Sequence, residues 1–258
     1  MLTFYRDLFA PPRHLILLVM AAWIGLFLAE KRTERHSIAQ SDLANLAFYT
    51  VIAFLLGGRI SFALQNIPAF AKSPLDIVSV SPDLFDALGG LALGLIAGFV
   101  FGQRRGLALW PVLDALTPWF AILAAGLGLS HLAAGTAFGS PTELPWGIDL
   151  WNATRHPTQL YELFASILIF VWIWFQPQDP RPGLQFLLFG TLTAGAQLFI
   201  QAFRGDSTLF PYGLKQEQVV DWIALATFFI LIEVRIRATK PPSRVRAAAP
   251  KKVSHAKS

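Results

Sequence analysis

The longest stretch without a charged side chain runs from Ala115 to Thr142, 28 residues, and two more charge-free runs cover Ala87–Gln103 (17 residues) and Pro182–Phe203 (22 residues). A soluble core does not need runs of that length, whereas a bilayer with a hydrocarbon thickness of about 30 Å needs about 20 apolar residues per helix. Composition agrees: 54% of the 258 residues are apolar and 14% are charged, against about 25% charged in an average soluble domain. The apolar excess therefore faces lipid. The net charge of +5 does not form a nucleic-acid patch, because the basic residues gather between apolar runs and in the tail, where they report topology.

Length and charge spacing predict an all-α, polytopic membrane protein with about seven transmembrane helices, near 14–30, 43–65, 84–103, 107–138, 158–176, 183–203 and 217–236. The first apolar run follows Arg13 but has no small-residue cleavage site before Lys31, so it reads as a retained helix. The fourth run is too long for an upright span; tilt or a break between Gly126 and Gly139 would accommodate it, and the Gly-rich text favours a break. Two regions follow: a membrane-embedded domain over 1–238 and a basic tail over 239–258, whose Pro, Ala, Ser and Lys content predicts disorder. No fixed-period repeat or pair of similar halves stands out.

Lys31, Arg32 and Arg35, then Arg104 and Arg105, then Arg181 and the tail alternate with loops poorer in positive charge. Positive residues mark the cytoplasmic side, which places the C-terminus in the cytoplasm and the N-terminus outside, although Arg6 and Arg13 run against that pattern. With this orientation Arg59, His131, Arg204, the run 155–162 and the start of the seventh helix (Gln216, Glu217, Gln218, Asp221) all meet the outer face. Ionisable groups at membrane depth face protein or water, so a polar cavity is expected there.

Arg59 and Arg204 are candidates for binding a lipid phosphate, since a guanidinium donates two parallel hydrogen bonds and stays charged; snorkelling or simple helix termination would also account for them. Arg155-His156-Pro157-Thr158-Gln159-Leu160-Tyr161-Glu162 has the chemistry of a helix start, with Pro157 in the first turn and Gln159 and Glu162 on one face; Tyr161 also suits a membrane boundary. His131 is either a proton acceptor or a hydrogen-bond link between helices. Asp86, Asp114 and Asp221 suit the positive ends of nearby helices. The Gly pairs inside apolar runs suit close helix packing. The Asn152-Ala153-Thr154 sequon carries little weight. The chain has no cysteine, hence no disulfide, thiolate metal site or Cys nucleophile, and it has no HExxH or Gly-rich phosphate loop.

The run Arg155–Glu162 is similar to the Arg-His-Pro-Ser-Gln-Leu-Tyr-Glu stretch of prolipoprotein diacylglyceryl transferases. Gly57-Gly58-Arg59 resembles the family's Gly-Ala-Arg, and Gly89-Gly90-Leu91 the end of its Phe-His-Gly-Gly motif. Gly135–Gly139, Arg181-Pro182-Gly183, Phe203-Arg204 and Gln218 follow in the family's order, so the resemblance spans about residues 50–225.

The resemblance implies a bacterial cytoplasmic-membrane enzyme that needs no cofactor and uses phosphatidylglycerol and a lipoprotein precursor as partners. The precursor's cysteine would attack a glycerol carbon, forming a thioether and releasing glycerol phosphate. It implies His131, His156 and Arg204 as catalytic candidates, His131 or His156 being the base. Arg59, Arg155, Gln159, Tyr161, Glu162 and Gln218 are the implied substrate-binding set. The chain departs from the pattern at Leu88, where the family has histidine, at Gly128, where it has arginine, and at Thr136, where it has an acid. Those departures keep open a noncatalytic relative that binds lipid or lipoprotein precursors; a small-solute transporter is the third reading.

Overall fold

The computed structural model describes residues 13–72, 84–177, 179–211 and 213–238. The expected basic tail and Arg6 lie outside the described residues. Helix α1 covers Arg13–Glu30 and is followed by a 3-10 turn at Thr33–His36; α2 covers Gln40–Gln65, the short α3 Ile67–Lys72, α4 Ala87–Arg104 and α5 Leu109–Ala134. Strands β1 (Ile148–Leu150) and β2 (Ala153–Arg155) precede α6 (Thr158–Phe175), α7 (Leu184–Gln201) and α8 (Gln216–Ala238).

Long helices thus stand where the seven apolar runs predict them. Five of them, α2, α4, α5, α6 and α7, are long and apolar enough to cross a membrane. Residues such as Leu55, Leu95, Phe164, Leu168 and Phe199 are exposed along their flanks, an apolar surface that suits lipid rather than water.

The fourth run departs from expectation. Helix α5 is unbroken through Gly126 and Gly128 and ends at Gly135, which takes φ 70° and lets its amide reach the Leu132 carbonyl. Gly126 and Gly128 serve packing instead: a Cβ would fall 2.1 Å from the Ala21 Cβ at the first and 3.0 Å from the Gln159 carbonyl and Leu163 amide at the second. The last residues of the run, beyond Gly135, are not helical, and after the run the chain forms a β-hairpin with Ile148 opposite Arg155. Its turn, Trp151-Asn152, has both residues at positive φ (53° and 59°), the conformation of a two-residue type I′ turn whose twist matches the strands.

Helices α2 and α4 pack along a glycine stripe. Gly90, Gly94 and Gly98 repeat every fourth residue on α4, and Cβ atoms there would lie 2.7 Å from the Phe54 carbonyl, 3.2 Å from the Thr50 carbonyl and 2.7 Å from the Thr50 hydroxyl. This is the small-residue packing expected of the Gly pairs. The other main pairs are α1 with α5, α5 with α6, α7 with α8 and α6 with α7, with smaller contacts of α5 with α7 and α1 with α2. A buried cluster of Ala29, Leu43, Leu46, Val112, Ala115, Leu116 and Trp119 joins the end of α1 to the starts of α2 and α5.

One end of the bundle is basic and internally tied. Arg105 meets Asp42 at 3.7 Å, and the Arg235 Nε donates to the Pro182 carbonyl at 2.7 Å. Asp114 does not serve its own helix start. Its carboxylate accepts from the Gly183 amide (2.5 Å) and the Phe186 amide (2.9 Å), so a side chain of α5 caps α7. Asp86 does cap its own helix, accepting from the Leu88 and Gly89 amides; the Ser61 hydroxyl, aided by those amides, holds its carboxyl below the usual carboxylate range.

Candidate functional site

The carboxylate of Glu162 organises the opposite end. It sits one turn into α6, on the face it shares with Gln159, and both side chains are buried, at 4% and 0% exposure. Glu162 Oε2 lies 3.0 Å from His131 Nδ1 near the end of α5, and Oε1 accepts from Arg204 Nη1 at 3.4 Å just beyond α7. The Arg204 Nε donates to Asp206 at 2.8 Å. Three helices are therefore joined through one buried carboxylate, and His131 makes the interhelical hydrogen bond that was one of its two expected roles.

Local structure holds this constellation in place. The hydroxyl of Thr158 donates to the Ala137 carbonyl (2.6 Å) and the Gln159 amide group to the Thr136 carbonyl (2.9 Å), so the start of α6 supplies donors to the chain leaving α5. Arg204 is fixed by an antiparallel bridge to Gly139. Lys215 donates from Nζ to the carbonyls of Gln201 (2.7 Å) and Arg204 (2.6 Å), satisfying acceptors that the end of α7 leaves without helical partners.

The other predicted residues fall into separate groups. His156 lies beside Tyr161, Nδ1 to hydroxyl 3.4 Å, with the Phe203 ring centroid 5.1 Å away. The Tyr161 hydroxyl accepts from the Trp146 indole at 3.0 Å. Arg155 turns back into the hairpin, where its Nε donates to the Leu150 carbonyl (3.0 Å) and its guanidinium lies 4.9 Å from the Phe138 ring. Arg59 donates to the Leu84 carbonyl at 2.5 Å, which anchors it at the start of α4, within the α2/α4 pair. Gln218 is half-buried in the first turn of α8.

Asp206 and Lys215 were missed by the sequence reading. Asp206 had a signal, standing two residues after the conspicuous Arg204. Lys215 had none, because a lysine in a loop gives no hint of which carbonyls it will reach. The departures are also located: Leu88 is exposed, Thr136 is exposed and contributes its carbonyl, and Gly128 is buried against the α6 backbone.

Four acceptor oxygens in this region, Gln159 Oε1, Gln201 Oε1, Glu217 Oε2 and Asp221 Oδ2, are buried without a hydrogen-bond partner among the described residues. Buried acceptors left unpaired are costly. They suit a ligand that brings hydrogen-bond donors. No group of three His, Cys, Asp or Glu suitable for a metal occurs among the described residues.

Known proteins resemble this chain over most of its length. The chain is 26% identical over 225 residues to a phosphatidylglycerol–prolipoprotein diacylglyceryl transferase of Thermosynechococcus vestitus, covering 82% of this chain and 83% of that protein. It is 28% identical over 211 residues to the protein of the same name in Bordetella avium, covering 77% and 78%. It is 29% identical over 226 residues to that of Mesorhizobium japonicum, covering 81% and 76%. Residues 14–234 match the prolipoprotein diacylglyceryl transferase family, and the chain belongs to that family.

Proposed function

We propose that this protein transfers the diacylglyceryl group of phosphatidylglycerol to the cysteine thiol of a lipoprotein precursor. The observation that carries this reading is the buried Glu162 carboxylate between His131 and Arg204, at the end of the bundle where unpaired acceptors collect. The carboxylate on Nδ1 selects the tautomer that donates from Nδ1 and leaves Nε2 as proton acceptor. The incoming thiol gives its proton to His131 Nε2, because the thiolate is the nucleophile. Thiolate attack on the glycerol carbon forms the C–S bond as the C–O bond to phosphate breaks. Glycerol phosphate leaves with the bonding electrons.

Arg204, and Arg59 from across the bundle, neutralise that phosphate. The glycerol headgroup's hydroxyls supply the donors that Gln159, Gln201 and Asp221 lack. His131 is preferred over His156 as base because it has the carboxylate partner; His156, with Tyr161 and Gln218, lines the approach.

The same reading takes all seven long helices as spans, sets the basic end in the cytoplasm of a bacterial inner membrane, and puts the N-terminus and the Glu162 constellation at the outer face. The alternation of basic and less basic loops supports it. The test is transfer of labelled diacylglyceryl from phosphatidylglycerol to a lipobox peptide by the purified protein, with a Cys-to-Ser peptide as control. Thioether product with the Cys peptide alone is the expected result. Lipid binding without product would replace transfer by the noncatalytic, lipid-binding reading.

A further inference from the structure

A cavity of about 520 Å³ lies at the basic end, remote from Glu162, between the close of α1 and the close of α6. Lys31, Arg32 and Arg35 face Trp174, Phe175 and Gln176 across it, and among the described residues no carboxylate lines it. Of the two acids nearest in sequence, Glu30 accepts instead from Gln40 at 2.9 Å, and Glu34 is exposed and does not line the cavity.

Arg32 is the informative residue. It is 5% exposed, its guanidinium lies 4.1 Å from the Trp174 ring centroid, and one terminal nitrogen donates to the Trp174 carbonyl. Its Nε is buried with no hydrogen-bond partner among the described residues. Burial, with Arg35 nearby, pushes its pKa down to about 10, which leaves it charged at neutral pH. Arg32 is thus a buried cation with no carboxylate partner among the described residues, an arrangement that an anion would stabilise.

We propose that this cavity binds a phosphate group, supplied by an anionic phospholipid of the leaflet at the basic end. Phosphate matches the donor set, with a planar guanidinium fork and two flanking cations. A lipid source is favoured by what adjoins the cavity. A second one of about 190 Å³ shares Gln176 and Pro177 with it and continues along Trp172, Leu184 and Leu188. Exposed Phe27 and Phe175 extend the apolar border, so acyl chains would have a surface to follow from the phosphate into the bilayer.

The test uses the full-length protein in detergent, titrated with dioleoyl phosphatidic acid and read by native mass spectrometry. Lys31→Gln with Arg35→Gln leaves the Arg32 stacking intact and should weaken the tight binding event by about tenfold, the size of one or two lost charge-assisted hydrogen bonds. Arg32→Gln should weaken it at least as much. Arg104→Gln with Arg105→Gln removes the same charge elsewhere on this end and should leave binding unchanged. Equal affinity in the Lys31/Arg35 variant and the native protein would overturn the site, and so would equal weakening in both double variants. Displacement of the lipid by low-millimolar inorganic phosphate would overturn the lipid source; failure of phosphate to displace it would support that source.

Discussion

The α2/α4 and α5/α6 crossings both rest on glycine but put it to different use. On α4 the stripe Gly90, Gly94 and Gly98 brings two backbones together over several turns, and the polar contacts of the pair gather at one end, where Ser61 and Gln65 donate to Asp86. On α5 a single glycine, Gly128, touches the α6 backbone at Gln159 and Leu163. His131 follows Gly128 by three residues and Glu162 follows Gln159 by three, so the next contact on the same faces is the 3.0 Å pair. One crossing uses close approach to hold helices; the other uses it to set a distance between two ionisable groups.

The most severe way to break the second crossing is Gly128→Arg, which installs the residue that the family resemblance has at this position. A Cβ would already lie 3.0 Å from two backbone atoms of α6, and backbone cannot move aside as a flexible side chain can. The variant should fail to yield a monodisperse folded protein in detergent. A well-folded Gly128→Arg protein with raised transfer activity would show that α6 retreats and that the missing arginine limits the native chain.

Glu162→Gln tests the pair itself. The neutral amide keeps the shape but no longer favours the Nδ1–H tautomer of His131 or pairs with Arg204. Transfer should fall about 100-fold, the scale of losing one preorganised electrostatic contact, with lipid binding changed far less. Equal rates in the two proteins would remove Glu162 from the mechanism.

At the basic end, α5 meets α7 through Asp114 rather than through glycine. Asp114→Ala leaves the Gly183 and Phe186 amides without their acceptor, at a cost of about 1–3 kcal/mol. The expected outcome is a lower midpoint of thermal unfolding with the same transfer rate per folded molecule. A fall in rate at unchanged stability would mean that the two ends are coupled.

How much of this was legible in the sequence follows from which forces act locally. Helix positions were legible because charge is expelled from a span, and Ala87–Gln103 and Pro182–Phe203 advertise that directly. The shared face of Gln159 and Glu162 was legible because it needs only helical periodicity. The partner of Glu162 was not, since the crossing that selects His131 is a tertiary fact. The hairpin was hidden for another reason: its strands are three residues long, and its turn uses Trp151 and Asn152 at positive φ where glycine would have been the signal. Asp114 was legible only as a partner for some nearby helix start; that the helix is α7, brought near by folding, leaves no mark in the local text.

The mildest variant, Gly94→Ala, sharpens the comparison by setting steric cost against backbone preference. A methyl there would sit 3.2 Å from the Thr50 carbonyl and 3.3 Å from the Phe54 Cβ, so α2 must give by a few tenths of an ångström. Alanine in return favours the helix over glycine by about 0.8–1 kcal/mol. The two effects nearly cancel, so stability should change by less than about 1 kcal/mol, with transfer unaffected. Gly128→Ala is the matched control. Its methyl meets backbone at 3.0 Å on two sides, so the same gain in helix preference is offset by a displacement of α6 that carries Glu162 away from His131. The transfer rate should fall for Gly128→Ala alone. Equal loss in both variants would mean that the α2/α4 crossing also sets a distance the chemistry needs, and Arg59, one residue beyond Gly58, would be the group to follow.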